Sequence, residues 1–297
     1  METNPVLKKL GYSKTDRVVI IHTDDIGMCQ ASISAFKDLW EFGLVSSGAT
    51  MVPCPWFLEV AKFCKENPEV DMGVHVTLTS EWETYRWGPL STRDVESGLL
   101  DSEGCFYHTS ADAQQNGKSE SVYKEIKAQI DRALTNGINP THMDTHMGTV
   151  ASIKFVPLYL QLARAYNLPP MLLRLEKEGW MELGLDEETA NFAIKMVNEL
   201  EESGIPLLDR IATLDLNEAP NPKDRIEYAK KVLGGLQPGI THFIIHPSKD
   251  TPELRAITPD YACRVADYIT FSNEELRDFV EASGLNVIGY KALKNIM

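Results

Sequence analysis

The 297-residue sequence predicts an α/β fold, a distorted (β/α) TIM-like barrel. Three observations carry the prediction. Apolar runs of strand length alternate with helical patterns over most of the chain. About eight such runs fit within the length, which suits a closed barrel better than an open doubly wound sheet. No G-x-G-x-x-G follows the first run, so a dinucleotide-binding sheet lacks its phosphate loop. The rhythm reads as a single domain over 1–297, with loop insertions near 80–118 and 176–221 at the catalytic face.

The first strand is expected at Val18–Ile21, followed by His22, Thr23, Asp24, Asp25, Ile26 and Gly27. The aspartate pair is expected where that strand stops and a turn begins. Aspartate is a poor strand former and costly to bury, so the pair needs a reason. Either a cation holds it, or it lies in a solvated turn with Asp25 capping the next helix. Ala31–Phe42 carries Ile33, Phe36, Leu39 and Trp40 at helical spacing and stops at Gly43. Strands follow at Gly48–Val52 and Met72–Leu78. The 80–118 stretch is rich in Gly, Ser and Asp and carries Trp82, Tyr85, Trp87, Phe106 and Tyr107; Trp82, Tyr85, Trp87 and Tyr107 are expected either to pack the insertion onto the barrel or to stack on a ligand ring. Ser119–Thr135 presents Val122, Ile126, Ile130 and Ala133 on one helical face. Further strands are expected at Thr141–Asp144, Met171–Leu175, Ile211–Leu216, His242–Ile245 and Val287–Tyr290. Before the last of these, Ser272 to Glu275 reads as a capping box, with Gly284 ending its helix.

A formal net charge of −14 argues against nucleic acid or an anionic membrane as the partner. Met1–Leu10 lacks the apolar core of a signal peptide, and no run approaches the roughly 20 apolar residues of a membrane span. Five scattered cysteines without C-x-x-C suggest reduced thiols and a cytoplasmic location. Cys29, near the aspartate pair, reads as a small buried hydrophobe instead of a nucleophile.

In a barrel the active site forms where strands end. Five separate runs deliver a polar group there: Asp24 and Asp25, His75, the stretch Thr141–His146, Arg174, and His246 ahead of Pro247. One carboxylate and two imidazoles form a common catalytic ligand set, so Asp25, His75 and His146 are the expected metal ligands. Asp24 is then placed as general base and His246 as general acid. Arg174 is expected at the site, although it can equally anchor a structural carboxylate. Each lone histidine also has an ordinary core reading. His142 and Asp144 alternate with His146 and are expected to orient neighbours. His22 is expected to pack in the barrel, and His242 to begin its strand at the opposite face. His108 lies in the first insertion.

The order Asp24-Asp25-Ile-Gly27, Gly73-Val-His75-Val-Thr-Leu-Thr79, Thr141-His-Met-Asp-Thr-His146 and His246-Pro247 resembles the YdjC-like (ChbG/HpnK) carbohydrate deacetylases. These are relatives of the NodB-type polysaccharide deacetylases. The resemblance spans about residue 17 to residue 290. It implies removal of an N-acetyl group from an acetylated sugar or oligosaccharide, with one divalent metal ion, Zn2+ or Mg2+. It maps Asp24 to the base, Asp25, His75 and His146 to the metal, His246 to the acid, and Arg174 to a holder of base or substrate. The chain departs from the family pattern at Thr23, Ile26, Ser248 and Met147–Val150, which bears on the sugar. Two other readings fit the residues: a non-heme iron oxygenase with the same two-His-one-carboxylate set, and a non-catalytic carbohydrate-binding protein. A homodimer is compatible with the sequence, which does not specify assembly.

Overall fold

The computed structural model describes residues 3–297. Its centre is a parallel sheet of seven strands: β1 (Arg17–Ile26), β2 (Ser47–Thr50), β3 (Met72–Val76), β4 (Met143–Thr145), β5 (Arg210–Thr213), β6 (Gly239–Ile245) and β7 (Leu285–Val287). The order is β4-β3-β2-β1-β6-β5, with β7 paired to β1. β1 is paired along one side with β6, from Arg17 to Thr23. Its other side is shared: the first residues pair with β7 and the last with β2. The central strands are buried on both faces, as expected of parallel strands covered by helices.

The expected strand at Met171–Leu175 does not form. Pro169 and Pro170 remove two backbone donors there, and only isolated bridges remain, Met143 to Pro170 and Leu173 to Leu208. Those bridges still close the ring. Met171 N–H donates to the Met143 carbonyl at 2.8 Å, and Arg174 N–H to the Leu208 carbonyl at 2.8 Å. The result is a distorted (β/α) barrel whose irregular stave joins β4 to β5.

The helix Gln30–Phe42 turns Ile33, Phe36 and Leu39 onto the sheet and ends at Gly43, whose φ of 86° suits only glycine well. The helix Ser119–Thr135 matches its expected bounds and buries Val122, Ile126, Ile130 and Ala133. The late helix Glu274–Ala282 is capped by Asn273, not Ser272: the Asn273 side chain accepts from the Glu275 N–H at 2.8 Å. Tyr290, expected in the last strand, instead starts a short helix, Tyr290–Lys294.

The 80–118 stretch is held by Arg86. Its guanidinium reaches Asp101 and Glu103 at 2.7 Å each, His108 Nε2 at 2.7 Å and the Phe106 carbonyl at 2.6 Å. Trp82, Tyr85 and Trp87 pack against one another, with Trp82 also facing the cleft described below. Among the described residues no helix is long and apolar enough to cross a membrane.

Candidate active site

Strand β1 does not stop before the aspartate pair. It runs through to Ile26, but its register with β2 shifts between Thr23 and Ile26. Asp25 sits in that bulge with φ of 59°, a left-handed conformation that costs a non-glycine residue about 1 kcal/mol or more. In a regular strand, neighbouring side chains point to opposite faces. The bulge cancels that alternation. Both carboxylates therefore face one imidazole: Asp24 Oδ2 lies 3.8 Å and Asp25 Oδ1 3.4 Å from His75 Nε2.

His146 enters from the turn after β4. Its Nδ1 is 3.1 Å from Asp25 Oδ1, and its Nε2 is 3.0 Å from Glu81 Oε2. Asp25, His75 and His146 offer ligand atoms within 4.8 Å of one another, all buried. Asp25 Oδ1 makes no well-aligned hydrogen bond despite its burial, which is unusual for a carboxylate oxygen. A divalent cation fits that oxygen and the two imidazoles.

Behind the three stand their supports. Asp144 Oδ1 lies 2.9 Å from His75 Nδ1, the nitrogen turned away from Asp25. The two atoms are close but not well aligned for a hydrogen bond, so the contact is one of charge. Arg264, from the helix Tyr261–Phe271, donates to Asp25 Oδ2 at 2.7 Å and is itself held by Asp260 at 2.7 Å. Nothing in the sequence pattern flags Arg264, because its helix lies 239 residues beyond Asp25. Glu81 was missed for a related reason: it belongs to an irregular loop, with no periodicity to place it.

Arg174 is not at this site. Its guanidinium pairs with Glu201 at 2.5 Å and Asp209 at 3.3 Å. Asp209 in turn accepts from the N–H of Ile240, near the start of β6, at the end of the barrel opposite His246. The irregular stave explains the error, since Arg174 does not follow a regular strand. The arginine on the aspartate pair is Arg264.

His246 follows β6. Its Nε2 lies 3.9 Å from Asp24 Oδ2. Its backbone N–H donates to Asp267 Oδ2 at 2.9 Å, and Asp267 Oδ1 accepts from Arg225 Nε at 2.7 Å. Arg225 and Asp267 are both fully buried. Arg225→Ala leaves that carboxylate uncompensated and is expected to cost about 3–5 kcal/mol of stability, measured by denaturant unfolding.

His242 is not at the start of its strand. β6 begins at Gly239, and His242 pairs with Ile20 in the barrel interior, where its ring lies 4.5 Å from that of His22. Burial pushes the Cys29 and Cys54 thiols up, so neither is a thiolate nucleophile.

Asp24, Asp25, His75, Glu81, Trp82, His146, Met147, Leu216, His246, Asp260 and Arg264 line one cleft of about 220 Å3. Burial opposes ionisation of Asp24, but His75 and His22 outweigh it and hold the acid below the usual range. For Asp25 burial is likewise outweighed, by Arg264 and His146. Burial disfavours charge on His146, yet the Glu81 and Asp25 carboxylates push it up from 6.5 to about 9. Asp144 and Asp24 raise His75 in the same way.

These shifts have a sign for the metal-free protein. A histidine raised on folding contributes stability that is complete below its unfolded pKa and lost as pH rises through the folded one. The depressed aspartates contribute above 3.8 and lose that contribution as pH falls. Above 6.5 the two raised histidines govern, so chelated protein is expected to weaken as pH rises from 6.5 through about 9; below 6.5 the buried neutral His142 and His242 oppose them. Urea midpoints across that range check it; a midpoint that climbs toward pH 9 would contradict it.

The family described as YdjC-like protein matches residues 18–282. The chain belongs to the YdjC-like family. A carbohydrate deacetylase of Thermus thermophilus is 34% identical over 272 residues, 92% of either chain. A carbohydrate deacetylase of Thermoanaerobacter pseudethanolicus is 23% identical over 278 residues, 94% of this chain and all of the relative. An Enterococcus faecalis V583 protein named for cellobiose-phosphate cleavage shares the fold. Its structure superposes with a TM-score of 0.74 at 22% identity, covering 94% of this chain and 99% of that one. The YdjC-like match spans β1 through β6, and with them every residue of the cleft.

Proposed function

We infer that this YdjC-like chain is a metal-dependent hydrolase that removes the N-acetyl group of an acetylated amino sugar or chito-oligosaccharide. The observation that carries the reading is Asp25 Oδ1: buried, without a well-aligned hydrogen bond, and facing His75 Nε2 and His146 Nδ1. The 34% identical relative named carbohydrate deacetylase supports the substrate class. A cation held by Asp25, His75 and His146 supplies Lewis acidity, which lowers the pKa of water and polarises a carbonyl. Two imidazoles and one carboxylate suit zinc better than magnesium, which prefers oxygen donors.

The remaining residues divide the proton work. Asp24 Oδ1 is occupied by His22, at 2.7 Å, so Oδ2 is the oxygen free to take a proton from the attacking water. His246 Nε2 stands across from that oxygen and hands a proton to the departing amine. Arg264 keeps Asp25 ionised and fixed, and Trp82 offers a sugar an apolar wall. An iron oxygenase would need the three ligands but would have no use for Asp24 or its partner His246.

The test is acetate release from N-acetylglucosamine and its oligomers, with and without a chelator. Activity is expected to vanish on chelation and return with zinc or another divalent ion. Chelation-insensitive release would overturn the metal-dependent mechanism. A metal-loaded protein that binds these sugars without releasing acetate would overturn the deacetylase reading.

A further inference from the structure

Below the cleft the barrel holds polar groups that this chemistry leaves unused. His22 Nδ1 donates to Asp24 Oδ1 at 2.7 Å. His22 Nε2 lies 2.9 Å from His142 Nε2. His142 Nδ1 lies 2.9 Å from Thr141 Oγ1, and Thr141 Oγ1 lies 2.5 Å from Asp71 Oδ1. All these residues are buried, and they form one unbroken chain from the cleft to Asp71, which immediately precedes β3 at the far end of the barrel. The backbone leaves room for it. A Cβ on Gly73 would sit 2.4 Å from His142 Cε1, and one on Gly289 would sit 2.2 Å from Asp71 Oδ2. The His142 ring also stacks on Tyr290, with centroids 3.7 Å apart.

With Asp24 ionised, counting donors leaves this chain two fully bonded arrangements. In the first, His22 is an imidazolium, His142 donates from Nδ1 to Thr141, and the Thr141 hydroxyl donates to the Asp71 carboxylate. In the second, His22 is neutral and accepts from His142 Nε2–H. Thr141 then donates to His142 Nδ1, and a protonated Asp71 donates to Thr141. Both hold the same protons. Going from first to second breaks the His22 Nε2–H, His142 Nδ1–H and Thr141 O–H bonds. It forms the His142 Nε2–H, a new Thr141 O–H and the Asp71 Oδ1–H bonds.

We propose that His22 is a positioning residue for Asp24, and that the hydrogen-bonded chain behind it carries one proton between His22 and Asp71. The proposal rests on the reading of Asp24 as general base. Two features of the surroundings support it. Burial raises the Asp71 acid, despite hydrogen bonds from Lys291 N–H, Thr141 and Ser47. Burial also keeps His142 neutral, as both arrangements require. The other groups facing His22 are Asp144 at 3.7 Å, His242 on β6 and Tyr290. Those facing Asp71 include His142 at 3.9 Å and Lys294.

The experiment measures kcat, KM, metal content and melting temperature for variants along the chain, with Asp24→Asn as reference. His22→Ala removes both the donor and the relay, and is expected to lower kcat about a hundredfold at unchanged KM and metal content. His22→Asn keeps an N–H for Asp24 but cannot pass a proton, and Asp71→Asn cannot receive one. Each is expected to lose about tenfold in kcat. Wild-type kcat in either one overturns the proposal. Should Asp71→Asn not fold, Thr141 serves instead: Thr141→Ser is expected to recover most of what Thr141→Ala loses, and equal kcat in the two overturns the relay. An active Asp24→Asn would defeat the general-base reading itself, whereas an inactive one beside unaffected chain variants defeats only the relay.

Discussion

Asp24→Asn is expected to lower kcat for acetate release by about a thousandfold or more while the protein keeps its metal. The reason lies in the division of labour between neighbouring carboxylates. Asp24 Oδ1 is held by His22 and Oδ2 faces both His75 and His246, so its lone pairs are turned to the cleft. Asparagine has nearly the same shape and keeps the carbonyl oxygen available to His22. It cannot accept a proton at Oδ2. Substrate binding depends on other groups, so KM is expected to move little. Turnover and metal content of the purified variant check this. Loss of metal together with activity would mean that Asp24 is a ligand and not a base.

Asp25→Asn is expected to do the opposite: the metal goes, and the activity with it. Asp25 Oδ1 is the one carboxylate oxygen shared by His75 and His146, and Oδ2 is bound to Arg264. The substitution removes the negative charge that offsets the cation and leaves the buried Arg264 paired only with Asp260. Metal affinity is expected to fall by about a hundredfold or more, since a direct ligand matters at least as much as the groups behind it. Titration with a fluorescent zinc chelator gives the affinity, and excess zinc is expected to restore part of the turnover. A variant that binds zinc as tightly as the parent would remove Asp25 from the ligand set.

The charges of the cleft link the two results. Without a cation, the raised His75 and His146 hold protons against Asp24, Asp25, Glu81 and Asp144. A cation must displace those protons, because only the neutral imidazole is a ligand. The same carboxylates that stabilise the protonated metal-free cleft would therefore offset the charge of a cation bound there.

The barrel and most of its staves were legible because alternating apolar runs and helical faces are local properties. Phe36 and Leu39 on one helix, and Val122, Ile126 and Ile130 on another, declare their buried sides through spacing alone. Asp24, Asp25, His75, His146 and His246 could be nominated for a similar reason: each follows or ends such a run, and parallel strands end on one face. Arg174 shows where that reasoning fails. It ends an apolar run, but Pro169 and Pro170 keep the run from becoming a regular strand, and the side chain goes to Glu201 and Asp209.

Other features lay beyond any reading of local pattern. The bulge that puts Asp24 and Asp25 on one side of β1 is visible only in how the strand pairs with β2. Arg264 reaches Asp25 from a helix far along the chain, and Asp71 meets Thr141 across 70 residues. Spacing in a sequence reports which residues share an element and a face. Which charges neutralise one another in a buried cleft depends on distances between elements, and those are set when the barrel closes.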